Sequence, residues 1–245
     1  MGRLIILSGP SCVGKSPLDK ALGRFYPDIR QGLQQLVLYN SRAPRPGEEE
    51  GKDYYFRERP AIEALQGKDN FVVMEVRGDL QALDIKALKD QLSRGDVFFE
   101  GNPFIGRVLQ THSGLSDIER LSAFMSPVSR EELLILNAPE RHANTKKLIT
   151  DMMRRKLLRR TRKQKGELSL KDLENIERRA SSAYDELHEA YHFDHIIPNH
   201  DGEDSEHWDA FYYPVGEARK ALLAFVDLLK GRSSAHIEKW EKGLV

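Results

Sequence analysis

Gly9-Pro10-Ser11-Cys12-Val13-Gly14-Lys15-Ser16 fits the pattern G-x-x-x-x-G-K-[ST] at every fixed position. Upstream, Arg3-Leu4-Ile5-Ile6-Leu7-Ser8 reads as a short apolar strand running into the loop. Downstream, Leu18, Ala21, Leu22 and Phe25 recur at helical spacing, so a helix follows. Strand, glycine loop and helix are the arrangement that polyphosphate binding requires. Gly9 and Gly14 let backbone N–H groups turn inward, Ser11 lies between them, and the helix start adds a positive dipole end. Lys15 is placed to reach β- and γ-phosphates, and the Ser16 hydroxyl to sit on a magnesium ion. ATP and Mg2+ are therefore the expected cofactors. Pro17 departs from an ideal P-loop. A first helical turn tolerates it, but it has no N–H to offer a phosphate. One donor, expected at the α-phosphate, is missing, so nucleotide binding should be weakened without being lost.

The rest of the chain bounds the class. Its 245 residues suit one α/β domain with additions, and 40% hydrophobic residues suffice for a sizeable core. Lys and Arg total 38, as do Asp and Glu, so net charge lends no support to general nucleic-acid or membrane binding. No apolar run is long enough to span a bilayer, and the apolar start is too short for a secretory leader. Cys12 is the only cysteine, which excludes an internal disulfide and predicts a cytoplasmic protein. His112, His188, His192, His195, His200 and His207 show no metal-ligand spacing.

Residues 33–39 read as a second strand. The stretch from Asn40 to Phe56 is shaped by Pro44, Pro46, Gly47 and Gly51 into a loop. Arg42 and Arg45 flank Pro44, and Tyr54 comes shortly after. Two guanidiniums and a phenol on a stiff loop make a clamp for a phosphate monoester. This segment resembles the acceptor-binding loop of guanylate kinases, T-T-R-x-P-R-x-G-E-x-x-G-x-x-Y-x-F. Arg42, Pro44, Arg45, Gly47, Glu48, Gly51, Tyr54 and Phe56 carry the match. The resemblance implies that Arg42, Arg45 and Tyr54 hold the acceptor's phosphate.

Residues 59–66 read as a short helix, 71–79 as a strand entering a turn, and 84–94 as an amphipathic helix. Glu75-Val76-Arg77-Gly78 resembles the family's E-V-x-G, which keeps Glu75 as a candidate acceptor contact. The same alignment puts Val72, or Val73 with a one-residue gap, where the family has its base-reading glutamate. Gln81 and Leu83 fall where the family has a phosphate-binding tyrosine and a hydroxyl near the base. Guanine's N–H donors would lack partners there, at about 1–3 kcal/mol for each group left unpaired. Residues 96–100 form an apolar strand ending in Glu100, where P-loop enzymes carry a magnesium carboxylate. Asn102 and Gly106 follow roughly as in the family's D-x-D-x-x-G.

Residues 104–110 and 129–136 read as helices and 120–126 as a further core strand. Residues 144–162 form a strongly basic helix, and 173–191 the next one. The resemblance implies a lid over 137–170 whose arginines close on the transferred group. Arg179 matches one of them. The other falls among Arg159, Arg160 and Arg162, of which Arg159 and Arg162 are taken as candidates. Residues 193–199 resemble the family's terminal strand, which implies that Asn199 lies near the adenine. Residues 202–216, acidic and aromatic, match nothing in the family and suit a cover for a pocket edge or a partner surface. Residues 217–229 read as a helix and 233–245 as a polar tail.

The expected fold is a P-loop three-layer α/β sandwich over residues 1–232. It has a parallel sheet of about five strands, a small acceptor-binding lobe at 40–84 and an enlarged helical lid. The resemblance implies a kinase moving the γ-phosphoryl group of ATP to a phosphorylated acceptor, GMP by family. Lys15, Arg159, Arg162 and Arg179 are the catalytic candidates. Gly9, Ser11, Gly14, Lys15, Ser16 and Asn199 form the nucleotide set, Arg42, Arg45, Tyr54 and Glu75 the acceptor set, Ser16 and Glu100 the metal set. Two alternatives stay open: another nucleotide or a sugar phosphate as acceptor, and a binding module with weak turnover. Neither a membrane nor a nucleic acid is an expected partner, and the sequence does not fix the oligomeric state.

Overall fold

In the computed structural model, which describes residues 1–245 apart from Pro46 and His142, the chain begins as expected. β1 (Leu4–Ser8) runs into the glycine loop, and α1 (Lys15–Phe25) leaves it. There follow α2 (Pro27–Gln31), β2 (Gln34–Gln35), β3 (Leu38–Asn40), β4 (Tyr54–Phe56) and α3 (Arg59–Glu63). β5 (Phe71–Val76) and β6 (Asp79–Asp84) form a hairpin, and α4 (Ile85–Leu92) starts on Asp84, whose carboxylate accepts from Ala87 N. β7 (Val97–Gly101), α5 (Pro103–Thr111), β8 (Arg120–Ser126) and α6 (Arg130–Leu136) come next. A capping box of Ser129 and Glu132 fixes the start of α6. The last elements are α7 (Thr145–Lys165), α8 (Leu170–Ser181), α9 (Ala183–Leu187), β9 (His195–Pro198) and α10 (Gly216–Leu229).

The main sheet has the order β2-β7-β1-β8-β9 and every pairing in it is parallel. β1 is buried along its whole length, as a central strand covered on both faces must be. Its alternate residues feed two cores. Leu4 and Ile6 join Phe124 and Phe193 on one face, while Ile5 and Leu7 join Leu18, Phe98 and Phe225 on the other. Each such buried side chain stabilises the fold by about 1.5–3 kcal/mol. The carboxyl ends of β1, β7 and β9 all open on one crevice, the usual ligand position in an open parallel sheet. They deliver the glycine loop, Glu100 and Asn199 to it.

A second, mixed sheet of order β4-β3-β6-β5 flanks the loop that carries Arg42 and Arg45. Residues 33–39 are thus not one strand. β2 ends in the main sheet, Leu36 N still bonds Phe98 O, and β3 then enters the second sheet. The strand at 71–79 is half of a hairpin whose return, β6, the sequence reading missed. The helix at 173–191 is broken at Ser182 into α8 and α9. The polar composition of 233–245 conceals two anchors, Trp240 and Leu244, both buried in the main core. Glu238 also forms an antiparallel bridge with Ile196 of β9. No helix among the described residues is long and apolar enough to cross a membrane.

Candidate active site

The glycine loop is built around close approaches. Gly14 has φ 108°, and a Cβ there would lie 2.6 Å from the Asn199 side-chain nitrogen and 2.9 Å from Asp201 O. Lys15 Nζ donates to Gly9 O at 2.8 Å and Pro10 O at 2.9 Å, so the ammonium is held across the loop mouth. Burial lowers its pKa, with Glu203, Glu100 and Glu186 opposing. The first helical bond of α1 runs from Leu18 N to Gly14 O, which leaves the N–H groups of Lys15 and Ser16 without a helical partner. Cys12 is buried, and burial followed by the Glu203 charge pushes its thiol up to about 12, so it is an inert side chain of the loop.

Ser16 Oγ donates to Glu100 Oε1 at 2.8 Å. Burial pushes the Glu100 carboxyl up to about 7, held back by Lys15 and by the Ser16 bond. A hydroxyl beside a desolvated carboxylate, both oxygen donors, suits a hard divalent cation that keeps waters and phosphate oxygens as its other ligands. Among the described residues no three His, Cys, Asp or Glu side chains gather into a fuller cage.

On the other side of the crevice, Arg42 forms a two-pronged ion pair with Glu48, both arms at 2.6 Å. Its guanidinium lies 5.1 Å from the Tyr54 ring centre and 5.6 Å from that of Phe56. Burial alone would raise the Glu48 pKa, but the bonds from Arg42 and Arg45 N outweigh it and hold the carboxyl low. Arg45 is freer, with its side chain 41% exposed and 4.0 Å from Glu48. Burial, followed by the Arg42 charge, depresses its pKa. Pro46 of this loop lies outside the described residues.

The structure separates the arginine candidates. Arg179 Nε donates to Ser11 Oγ at 2.9 Å, and burial together with Arg160, Arg45 and Arg77 drives its pKa well below the guanidinium range. Arg160, not Arg162, turns into the crevice. It pairs with Glu203 at 2.5 Å and lines the same cavity as Ser16. Arg159 sits one step to the side, 63% exposed and paired with Asp204, and Arg162 is exposed on the outer face of α7. The reason is helical geometry. Ile149, Met153 and Leu157 bury one stripe of α7, and Arg160 follows that stripe while Arg159 and Arg162 leave it.

Two further expectations are corrected. Glu75 points out of the crevice, 60% exposed and 3.4 Å from Arg59. Strand alternation puts it on the face of Val73, which packs with Ile62 and Leu80 in a separate small cluster. Val72, Met74 and Leu83 share the other face with Tyr54, so of the two valines it is Val72 that lies on the Tyr54 side of the strand. Asn199 is fully buried, and its amide donates to Val13 O at 2.8 Å and Asp201 O at 2.6 Å. It braces the glycine loop and has no amide hydrogen free for a base.

The segment at 202–216, expected as a cover for a pocket edge or a partner surface, lies at a pocket edge. Glu203 N reaches Cys12 O, and Trp208 Nε1 bonds Asp201 O at 2.9 Å beside Gly14. Tyr213 and Tyr26 share a hydroxyl bond at 2.8 Å. The segment therefore walls the crevice, with α1 and the end of α7, around a cavity of about 390 Å3. Its acidic and aromatic content was the available signal. Part of the basic charge of α7 is met within the chain: Arg154, Arg159, Arg160 and Lys165 pair with Glu177, Asp204, Glu203 and Asp172.

Comparison with known proteins agrees with this architecture. The family model described as guanylate kinase matches residues 1–79. The chain is 37% identical over 134 residues to a guanylate kinase of Cereibacter sphaeroides, spanning 54% of this chain and 61% of that protein. It is 35% identical over 133 residues to one of Trichormus variabilis, spanning 63% of it. It is 32% identical over 216 residues to one of Synechococcus sp. (strain JA-3-3Ab), spanning 87% of this chain and 83% of that one. The solved guanylate kinase of Anaplasma phagocytophilum superposes with a TM-score of 0.53 over 94% of this chain and 85% of that one, at 18% identity, a likeness of fold. With a glycine loop, an opposed arginine clamp and a relative matched along most of both sequences, the chain belongs to the guanylate kinase family.

Proposed function

We propose that this protein is an ATP-dependent nucleoside monophosphate kinase that phosphorylates GMP, the reaction implied by the name its relatives carry. The observation that carries the reading is the pairing of two phosphate sites in one crevice. Lys15, Ser16, Arg160 and Arg179 stand on the donor side, and Arg42, Arg45 and Tyr54 on the acceptor side. The cavity of about 390 Å3 beside Ser16 and Pro17 is of a size to take the donor nucleoside. Ser16 and Glu100 would hold magnesium, which when bound neutralises charge on the leaving diphosphate.

An oxygen of the acceptor phosphate attacks the γ-phosphorus in line, and the bond to the β–γ bridging oxygen breaks. The acceptor is already an anion, so no general base is needed. Arg42 and Arg45 bring that anion up, which requires Glu48 to yield part of the Arg42 fork to the incoming phosphate. Lys15, Arg160 and Arg179 neutralise the three equatorial oxygens, and the lid excludes water.

The apolar face of Val72, Met74 and Leu83 adds a second reading, of the acceptor's base. Val72 itself cannot pair with guanine's donors, and the polar side chains that β5 and β6 keep on this face are Gln81, opposite Met74, and Asp79, opposite Val76. With no carboxylate at Val72, selectivity among bases is weaker than one there would give. The test is ADP release from ATP and magnesium with GMP, AMP, CMP, UMP and a sugar phosphate. Turnover with GMP is expected, by a modest margin over AMP. No ADP release with any nucleotide would refute the kinase reading, and strong exclusion of AMP would refute the relaxed selectivity.

A further inference from the structure

The tip of the β5–β6 hairpin is a two-residue turn, Arg77 and Gly78, between the paired residues Val76 and Asp79. Both turn residues have positive φ, 56° and 89°. That geometry suits a tight hairpin but favours Gly, Asn or Asp at the first position, and an arginine there is unfavourable for the backbone. The side chain does what those residues cannot. It crosses from the acceptor lobe to α9, where Arg77 Nε donates to Glu186 Oε1 at 2.7 Å and to Ser182 Oγ at 3.0 Å, and Nη2 also bonds Glu186. Among the described residues these are the hairpin's only hydrogen bonds to anything beyond α4.

Glu186 is fully buried and collects donors from three parts of the site. Arg77 comes from the acceptor lobe. Asn102, which caps α5 just after the Glu100 strand, donates through Nδ2 at 3.1 Å. Ser182 Oγ donates at 2.8 Å and lies within reach of the Arg179 carbonyl at 3.2 Å, at the end of the helix that carries the lid arginine. All of these fall on Oε1, while Oε2 is buried without a partner. A buried carboxylate with one loaded and one bare oxygen depends on its arginine. Without Arg77 it would be a largely uncompensated buried charge.

The geometry points to Arg77 as a positioning residue: its pair with Glu186 is the latch that holds the acceptor lobe shut against the core, registering the clamp with the metal strand and the lid helix. Swinging the lobe away from α9 would break the Arg77–Glu186 pair, so acceptor binding that draws the lobe in and the latch support each other. This rests on the kinase reading for its kinetic consequences but not for the latch itself.

The test uses the full chain carrying Arg77→Ala, Arg77→Lys, Glu186→Gln, and Arg77→Ala with Glu186→Gln. Hydrogen exchange over residues 71–84 is followed with and without GMP, beside steady-state kinetics and thermal melting. Arg77→Ala should speed exchange in the hairpin, leave β1 and β8 protected, and raise the acceptor KM about tenfold with the ATP KM unchanged. Arg77→Lys, which keeps the charge but loses the fork, should recover part of both. The double variant should be no worse than Arg77→Ala, since both changes remove one interaction. If Glu186→Gln fails to fold, the two Arg77 variants still decide. Unchanged hairpin exchange in Arg77→Ala overturns the latch. So does a collapse of kcat with exchange and acceptor KM unaltered, which would place Arg77 on a phosphate. Absence of turnover in the wild type would refute the kinase reading alone, because the exchange arm still reports on the latch.

Discussion

Replacing Pro17 by threonine puts a number on the unusual glycine loop. The helix ladder starts at Leu18, so a residue at 17 other than proline would have a free N–H at the helix start, beside Ser16 and facing the donor cavity. A hydrogen bond to a charged group is worth about 1.5–3 kcal/mol. That is about 10- to 150-fold in the dissociation constant of ATP with magnesium. Loss of the ring acts elsewhere: it frees the unfolded chain and lowers folding stability by about 0.4–1 kcal/mol. The two effects separate in two assays. Calorimetric titration should show Pro17→Thr binding ATP at least about tenfold tighter than wild type. Melting of the ligand-free proteins should show the variant slightly less stable. Pro17→Ala should tighten ATP equally, which assigns the gain to the N–H and not to the threonine hydroxyl. Equal affinities in all three proteins would refute the reasoning and mean that the α-phosphate is satisfied without that donor.

The Glu100 carboxyl, held up near 7, gains its charge as pH rises, so magnesium affinity measured by titration should climb between about pH 6 and about pH 8. A raised carboxyl pKa also means that Glu100 favours the metal-free fold most below its ordinary range of about 4.5, and that this contribution is lost as pH rises through 7. Glu100→Gln should flatten both trends, and a pH-independent magnesium affinity in the wild type would exclude Glu100 as the ligand. Arg160→Ala should lower kcat by at least about a hundredfold, and Arg162→Ala should stay within about twofold; the reverse order would show that the lid turns when substrates bind. Val72→Glu should raise the ratio of GMP to AMP turnover by about tenfold or more, given about 1–3 kcal/mol for each guanine donor it pairs. An unchanged ratio would show that the base lies elsewhere.

The parts of this site that could be read from the sequence are those whose spacing is local. The glycine loop, the Arg42 and Arg45 clamp and Glu100 each sit in one short segment whose secondary structure the residue pattern dictates, and the crevice brings them together as the parallel sheet requires. Two errors came from matching residue types without applying the period of the element beneath them. In β5 the alternation of Val72, Met74 and Val76 against Val73 and Glu75 already turns Glu75 away from the core face. In α7 the apolar stripe through Met153 and Leu157 selects Arg160 over its neighbours. The remaining gap is of another kind. Arg77 and Glu186 are 109 residues apart, and nothing local marks either: one looks like a turn arginine, the other like one acid on a charged helix. Their meeting depends on a two-residue turn whose left-handed backbone aims a side chain across the crevice, and on a break at Ser182 that turns α9 to receive it. A sequence period reports which face a residue takes on its own element. It carries no information on which elements then face one another, and in this protein that second relation holds the acceptor lobe to the core.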